Sequence, residues 1–178
     1  MIKEGNEQQE LRAESGPQKT KALVAYFSRT GNTREIAGQI HDKVGGDMFE
    51  IVTINPYPSD YNKCVEQAKL ELEKGYRPEL KTMVKNIDSY DVVFIGYPNW
   101  WGTVPMALST FFSKYDLSGK TIAPFCTHEG SALGRSEKDI VRLCPHSTVL
   151  DGLAIHGADV KKARNDVSAW LHKLGLMK

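Results

Sequence analysis

The sequence has few of the features that mark extracellular, membrane-spanning or nucleic-acid-binding proteins. Its three cysteines are odd in number and widely spaced, and there is no C-x-x-C motif, which favours reduced thiols over a disulfide framework. No apolar run approaches the roughly 20 residues that cross a bilayer. The formal net charge is +1, so no surplus of one sign favours nucleic acid or an anionic membrane as a partner. These absences predict a cytoplasmic protein with neither kind of partner.

Several signatures of common catalytic and nucleotide sites are also missing. There is no G-x-x-x-x-G-K-[ST] and no G-x-G-x-x-G, which argues against an ATPase and a dinucleotide-binding domain. The nucleophile elbow G-x-S-x-G is absent, because GSALG places its serine differently. Cys126-x-His128 and Cys144-x-His146 supply residue types that bind zinc, but Cys126 ends a predicted buried strand. We therefore expect buried thiols there and no metal site.

The composition is otherwise that of a short polar segment followed by one globular domain. Residues 1–20 are charged and nearly free of large apolar side chains, which predicts a disordered arm or leader. The rest, residues 21–178, is long enough for one domain with a sizeable core, and it shows no internal repeat or linker.

Hydrophobic periodicity predicts strands that alternate with helices. The predicted strands are 22–28, 47–54, 92–96, 120–126 and 148–154, and the predicted helices are 33–44, 61–74, 105–115, 136–143 and 159–174. Such alternation is typical of a parallel sheet covered on both faces. Ligands of such sheets bind beyond the carboxyl ends of the strands, so the loops after the strands are the candidate site.

The loop after the first strand, SRTGNT, has the composition of an anion site. It crowds three hydroxyls, an amide and Gly31 into six residues, directly before a helix whose N-terminal N–H groups attract negative charge. A simple N-cap needs only one such residue. The pattern favours a phosphate loop formed by Ser28, Arg29, Thr30, Gly31, Asn32 and Thr33.

AYFSRTGNT resembles the phosphate-binding signature of flavodoxins, small electron carriers that bind FMN. The predicted elements from about 21 to 176 are also similar to that family's layout. YPNWWGTVP and CTHEGS resemble a bacterial subgroup whose members are described as flavodoxins or NAD(P)H-dependent oxidoreductases. The resemblance implies a flavodoxin-like α/β three-layer sandwich, with a five-stranded parallel sheet in the order 2-1-3-4-5, and FMN as a noncovalent cofactor.

The resemblance also assigns a role to two adjacent tryptophans in a loop rich in proline and glycine. The loop after the third strand would hold the flavin ring, with Trp101 in contact and Trp100 packing or at the rim, because stacking on a heteroaromatic ring favours an indole. Gly102 is where a backbone flip would offer a peptide to the flavin. The implied residues of this loop are Pro98, Asn99, Trp100, Trp101 and Gly102. Two tryptophans that plug a loop into the core are the alternative.

The loop after the fourth strand would approach the pyrimidine end of the flavin, with Thr127, His128, Glu129 and Gly130. A carboxylate at Glu129 would lower the flavin potential if it lay close, or else face water. Arg29 is expected to face solvent, since the family's phosphate sites rely on neutral donors. Tyr57 and Tyr61, after the second strand, either line an acceptor pocket or pack a loop.

Three functions stay open at this point. The first is an electron-transfer protein that docks on redox partner proteins, in which no side chain acts as acid or base. The second is an enzyme that takes hydride from NAD(P)H and reduces a small-molecule acceptor such as a quinone. The third is an interaction module that has lost its flavin, which the intact phosphate loop disfavours. Flavodoxins are typically acidic, and this near-neutral chain is not.

Overall fold

Parallel pairing joins six strands into one sheet in the computed structural model, which describes residues 19–177. The strands are β1 (Ala22–Tyr26), β2 (Asp47–Glu50), β3 (Val92–Pro98), β4 (Thr121–His128), β5 (Thr148–Val149) and β6 (Leu153–His156). The helices are α1 (Asn32–Val44), α2 (Tyr61–Lys74), α3 (Met106–Lys114), α4 (Ser136–Leu143) and α5 (Arg164–Lys173), with 3₁₀ turns at Ile87–Ser89 and Gly157–Lys162. The arm predicted over residues 1–20 lies almost wholly outside the described range.

The strand order is β2-β1-β3-β4-β5, with β6 also paired to β4, so the predicted order 2-1-3-4-5 is confirmed. The predicted fifth strand is two short strands, which pair with opposite ends of β4. Between them the N–H of Gly152 donates to the Glu137 carboxylate at 2.6 Å instead of to the sheet. This side-chain contact takes the backbone out of the ladder, and it was not visible in the sequence.

Alternate side chains of the buried strands pack into two separate hydrophobic cores, one on each face of the sheet. In β1, Leu23 and Ala25 belong to one cluster, and Val24 and Tyr26 belong to the other. The second cluster is covered by α1 and α5, and the first by α3 and α4. Within residues 19–177 no side chain of α2 belongs to either cluster, so α2 is held by other contacts.

No helix in residues 19–177 has the length and apolar character needed to span a membrane. The ends of β1, β3, β4 and β6 point to one edge of the sheet, because all pairings are parallel. The loops that leave this edge therefore meet.

Candidate functional site

Three loops and one helix enclose a cavity of about 720 Å³ at the carboxyl edge of the sheet. This volume lies in the range of ordinary small-molecule sites. The loops follow β1, β3 and β4, and the helix is α2. All the residues predicted for the cofactor site line this cavity except Gly31, whose backbone forms the turn behind the wall. The structure therefore brings together three segments that are far apart in the sequence.

The first loop leaves the start of α1 open towards anions. Gly31 is the N-cap residue, with φ of 100°, and no described side chain caps the helix. The hydroxyl of Ser28 accepts the Gly31 N–H at 3.1 Å, and the first helical bond runs from the Glu35 N–H to the Gly31 carbonyl. The N–H groups of residues 32–34 therefore precede the first helical hydrogen bond and stay free for a ligand. The loop's hydroxyls do not serve as a conventional cap.

Two further contacts fix the loop in place. The hydroxyls of Thr33 and Thr127 are 2.8 Å apart and buried, which ties the phosphate loop to the end of β4. Arg29 does not simply face solvent as expected. Its guanidinium donates to the carbonyls of Pro58 and Ser59, at 3.3 and 2.7 Å, while its Nε is buried without a partner among the described residues. Arg29 thus fastens the segment that begins α2.

The second loop forms a tight turn that separates the two tryptophans. The backbones of Trp100 and Thr103 exchange hydrogen bonds of 3.0 and 3.1 Å. The central residues, Trp101 and Gly102, have φ of 55° and 79°, the signs of a type I′ turn. Since both central residues of such a turn need positive φ, a glycine suits the second position and Trp101 is held there by its contacts.

Trp100 points inward and packs edge-to-face on Phe27 and Tyr57, with ring centroids 5.4 and 4.9 Å away. Trp101 points outward, is 46% exposed, and donates its indole N–H to the Val65 carbonyl of α2 at 3.0 Å. The Lys69 ammonium lies 5.6 Å from the centre of that ring. One tryptophan therefore supports the loop and the other bridges to the facing helix, while both line the cavity.

The peptide that follows Gly102 is fixed from outside the loop. Its carbonyl accepts the N–H of Arg135 at 2.8 Å, and Gly134 lies so close that a Cβ there would be 2.4 Å from that oxygen. The preceding peptide, between Trp101 and Gly102, makes no hydrogen bond within residues 19–177. Of the two peptides, this unbonded one has the freedom to turn.

Asn99 leaves one acceptor unused inside the site. Its amide nitrogen donates to the Ala132 carbonyl at 2.6 Å, and its backbone N–H donates to the Thr127 carbonyl at 2.8 Å. Its Oδ1 is buried and has no partner among the described residues. A buried carbonyl oxygen without a donor is costly, so a ligand that brings an N–H or O–H to this atom would be stabilised.

The third loop places polar groups beside the cavity. The Nδ1 atom of His128 accepts the Gly130 N–H at 2.9 Å. Burial, and then the neighbouring His156, lower the pKa of His128, while Glu129 acts in the opposite direction. Glu129 itself is largely exposed. Cys126, just before this loop, is buried and its thiol donates to the Ala132 carbonyl, and burial raises its pKa to about 12.

Sequence reasoning missed most of the fourth wall. Tyr61, Cys64, Val65 and Ala68 of α2 line the cavity, as does Ser131 of the third loop. Their spacing in α2 is that of one helix face, which was the available signal, although such spacing does not show what that face contacts. Of the two tyrosines considered for an acceptor pocket, Tyr61 lines the cavity.

Tyr57 has a different place. Its hydroxyl donates to the buried Glu71 at 2.7 Å, and its ring packs on Trp100 and Phe27. Burial, followed by the hydrogen bond to Glu71, raises the pKa of Tyr57. It supports the second loop from behind.

Comparison with known proteins assigns this arrangement to a family. The sequence model of a family described as flavodoxin matches residues 21–174. The chain belongs to the flavodoxin family. No protein of curated function matches the sequence.

Solved structures of flavodoxin relatives share the fold. A protein from Bacteroides eggerthii is 36% identical, with 88% of this chain and 98% of that chain covered and a TM-score of 0.78. A Lactobacillus acidophilus flavoprotein in complex with FMN is 22% identical over 80% of this chain and 97% of its own, with a TM-score of 0.67. A Fusobacterium nucleatum flavodoxin bound to FMN is 12% identical over 89% and 99%, with a TM-score of 0.57.

Proposed function

We propose that this flavodoxin-family protein binds FMN without a covalent bond and transfers electrons through it. The observation that carries the proposal is the uncapped start of α1, which opens into the same cavity as the tryptophan turn. One end of the cavity thus offers free N–H groups and hydroxyls to a phosphate, and the other offers indole rings to a planar heteroaromatic group. Two structural relatives that are in complex with FMN support FMN as the cofactor.

Each wall has a task in this proposal. The Ser28 hydroxyl, which already accepts from Gly31, keeps its own proton to donate to a phosphate oxygen. The Asn99 Oδ1 is available to accept an N–H from the ring system. Trp101 and α2 exclude water from one side of the cavity. FMN supplies the redox chemistry, and the protein supplies binding, orientation and a low-dielectric wall.

Cofactor reconstitution tests the proposal. We expect the purified protein to become yellow with FMN and to keep it through gel filtration, while riboflavin and FAD bind more weakly. Riboflavin lacks the phosphate that the loop would hold, and FAD must place a larger group where the loop is closed by the Thr33–Thr127 contact. Equal affinities for FMN and riboflavin would exclude the proposed role of the phosphate loop.

We favour a one-electron carrier over an enzyme that oxidises NAD(P)H. The cavity contains a single phosphate loop, and the sequence has no second nucleotide-phosphate motif. Hydride transfer needs a nicotinamide within about 3–3.5 Å of the flavin N5 atom. The bridge from Trp101 to α2 covers part of the space that a nicotinamide would need.

A specific observation supports the oxidoreductase as second candidate. The side chains of Tyr61, Val65 and Ala68 give the cavity an apolar wall beyond the predicted cofactor contacts, which suits a small planar acceptor such as a quinone. The near-neutral charge points the same way, because a carrier that docks on basic partners is usually acidic.

Rapid mixing separates the two candidates. The FMN-loaded protein is mixed with NADPH and with NADH, without a reductase, and is then reduced by light. A carrier should react slowly with both nucleotides and should accumulate one-electron-reduced flavin under light. Fast bleaching by either nucleotide, together with turnover on added quinone, would identify an oxidoreductase instead.

A further inference from the structure

Two histidines and a glutamate form a cluster at the edge of the cavity. His128 and His156 are paired neighbours at the ends of β4 and β6. Their rings are 5.6 Å apart and nearly perpendicular, and the Glu129 carboxylate is 3.8 Å from Nε2 of His156. We call these three residues the histidine cluster. His156 was not a candidate from the sequence, because only the parallel register brings it beside His128.

The cluster touches the phosphate loop. A Cβ at position 157 would lie 2.3 Å from Oε1 of Glu129 and 2.8 Å from Nδ2 of Asn32, so these two side chains meet over a glycine. The residue before His128 is Thr127, whose hydroxyl bonds to Thr33 of the same loop. The cluster is therefore next to the end of the cavity that would hold an anion, on the side of Asn32.

The two arginines near this end already have hydrogen-bond or ion-pair partners. Of the described residues that line the cavity, only Arg29 and His128 have basic side chains. Arg29 donates to two backbone carbonyls of the segment before α2. Arg34, in the first turn of α1, pairs with Glu50 of β2. His128 is thus the basic group of the cavity wall that is free to change its charge.

The surroundings of His128 favour its neutral form over its charged form. Its Nδ1 accepts the Gly130 N–H, so a second proton on the ring would have to displace that donor. The titratable groups that face it are His156, from β6, and Glu129, from its own loop. The neighbouring residues at the start of α1 are neutral, with Asn32 near Glu129 and Thr33 bonded to Thr127. Burial, the largest influence, lowers its pKa.

We propose that His128, within this cluster, takes up a proton when a phosphate monoester occupies the loop, so that anchoring of the cofactor phosphate is proton-linked. This inference rests on the proposed FMN function. The proton comes from solvent and goes to Nδ1 of His128, and no covalent bond or electron is involved. A dianion nearby stabilises the charged imidazole, as an opposite charge within about 4–6 Å does generally. Glu129 opposes the dianion, and a proton on the cluster offsets that repulsion.

The direction of the pH effect follows from linkage. The pKa of His128 lies below its ordinary value in the free protein and is raised by the bound phosphate. For the phosphate dianion, the added affinity is therefore fully present below the free pKa and is lost as pH rises through the bound-state pKa. Between those two values the Kd for FMN should rise by up to about tenfold per pH unit for one linked proton.

Calorimetry measures the proton directly. The apoprotein is titrated with FMN at pH 7, above the second phosphate pKa of about 6, in two buffers with different ionisation enthalpies. We expect net proton uptake with FMN and none with riboflavin. His128→Gln should abolish the uptake, whereas the matched variant His172→Gln, on the exposed side of α5, should keep it. Glu129→Gln should bind FMN severalfold more tightly at pH 8, because it removes the repelling charge.

A second measurement avoids reliance on the folding of a variant. The imidazole proton resonances of His128 in the wild-type protein are followed by NMR against pH, without ligand, with riboflavin and with FMN. The midpoint should move upward with FMN alone. FMN binding without proton uptake, or with unchanged uptake in His128→Gln, would overturn the inference and leave the FMN proposal intact. Equal uptake with riboflavin would overturn it as well, since the charge sensed would then belong to the ring. If FMN does not bind at any pH, both proposals fail together.

Discussion

The two adjacent tryptophans show how neighbouring residues divide structural and ligand-facing tasks. A type I′ turn sends Trp100 into an aromatic group with Phe27 and Tyr57, and leaves Trp101 at the rim beside α2. The alternative from the sequence, a pair that plugs the loop into the core, describes Trp100 in part. It does not describe Trp101, which is 46% exposed.

Alanine variants should separate these tasks. We expect Trp100→Ala to lower the free energy of unfolding of the apoprotein by about 2 kcal/mol, less than for a fully buried tryptophan because Trp100 is only partly buried. Trp101→Ala should leave that energy nearly unchanged and weaken FMN binding by about 0.5–1.5 kcal/mol, roughly a two- to twelvefold change in Kd. Urea denaturation and flavin fluorescence titration measure the two effects. A larger loss of FMN affinity in Trp100→Ala would reverse the assignment of the rings.

Gly134 offers a test of the support beneath the tryptophan turn. Its φ is 54°, and a Cβ would be 2.4 Å from the Gly102 carbonyl oxygen. We expect Gly134→Ala to lower the free energy of unfolding by about 3 kcal/mol, because it combines a positive φ with overpacking. It should also weaken FMN binding, because it displaces the turn. Gly175→Ala is the matched control, because Gly175 also has positive φ, 70°, but has open space around it. Its cost should stay at about 1–2 kcal/mol, with FMN affinity unchanged.

The sequence located most of the candidate site because loop chemistry is local. Turn and anion-binding residues such as Gly31 and Gly102 act through their own backbone, so the sequence alone is enough to recognise them. The α2 wall and His156 are different. Which face of a helix meets a cavity, and which strand end meets another, depends on tertiary docking and register, and a single sequence does not encode these in any short pattern.

At the scale of elements, the predicted helices and strands exist, and apart from the divided fifth strand the differences lie at their ends. The helix at Tyr61–Lys74 and the helix at Ser136–Leu143 have the predicted bounds. The predicted helix at 159–174 begins instead as a 3₁₀ turn and becomes α-helical only at Arg164. At that start the His156 ring accepts the Ala158 N–H, a side-chain contact that favours a tighter first turn and cannot be inferred from hydrophobic spacing.

The start of α2 is the element whose stability bears most directly on the cavity. The Asp60 carboxylate caps it by accepting the Lys63 N–H at 2.9 Å. We expect Asp60→Ala to lower the free energy of unfolding by about 1 kcal/mol, and Asp60→Asn to retain most of it. No described side chain of α2 belongs to either core cluster, so the cap matters more for holding this helix in place. Since α2 lines the cavity, Asp60→Ala should also weaken FMN binding.

A control for this variant exists outside the site. Asp116 accepts the Ser118 N–H at 2.9 Å in a loop that does not line the cavity. Asp116→Ala should lower stability to a similar or smaller extent and leave FMN affinity unchanged. Equal FMN affinity in both alanine variants, measured by fluorescence titration, would show that α2 is not part of the binding wall.

At the scale of the whole molecule, FMN should act as a stabiliser of the fold. A ligand that binds only the native state adds about 2.7 kcal/mol at a free concentration of 100 times its Kd. For a domain of this size that corresponds to roughly 5–11 °C in Tm. We expect differential scanning fluorimetry to show this increase with FMN and a smaller one with riboflavin at the same concentration. No concentration-dependent increase with FMN would contradict a site that joins three loops and α2.

The division of the last strand has a consequence for how molecules of this protein meet one another. The long strands β3 and β4 lie inside the sheet, whereas the outermost pairings involve β2, with four residues, and β5 and β6, with two and four. Short, interrupted outer strands present few unpaired N–H and C=O groups in a row. Natural sheets use such edges to avoid pairing with a strand of a neighbouring molecule. Ordered growth of the sheet from molecule to molecule is thereby disfavoured even in crowded solution.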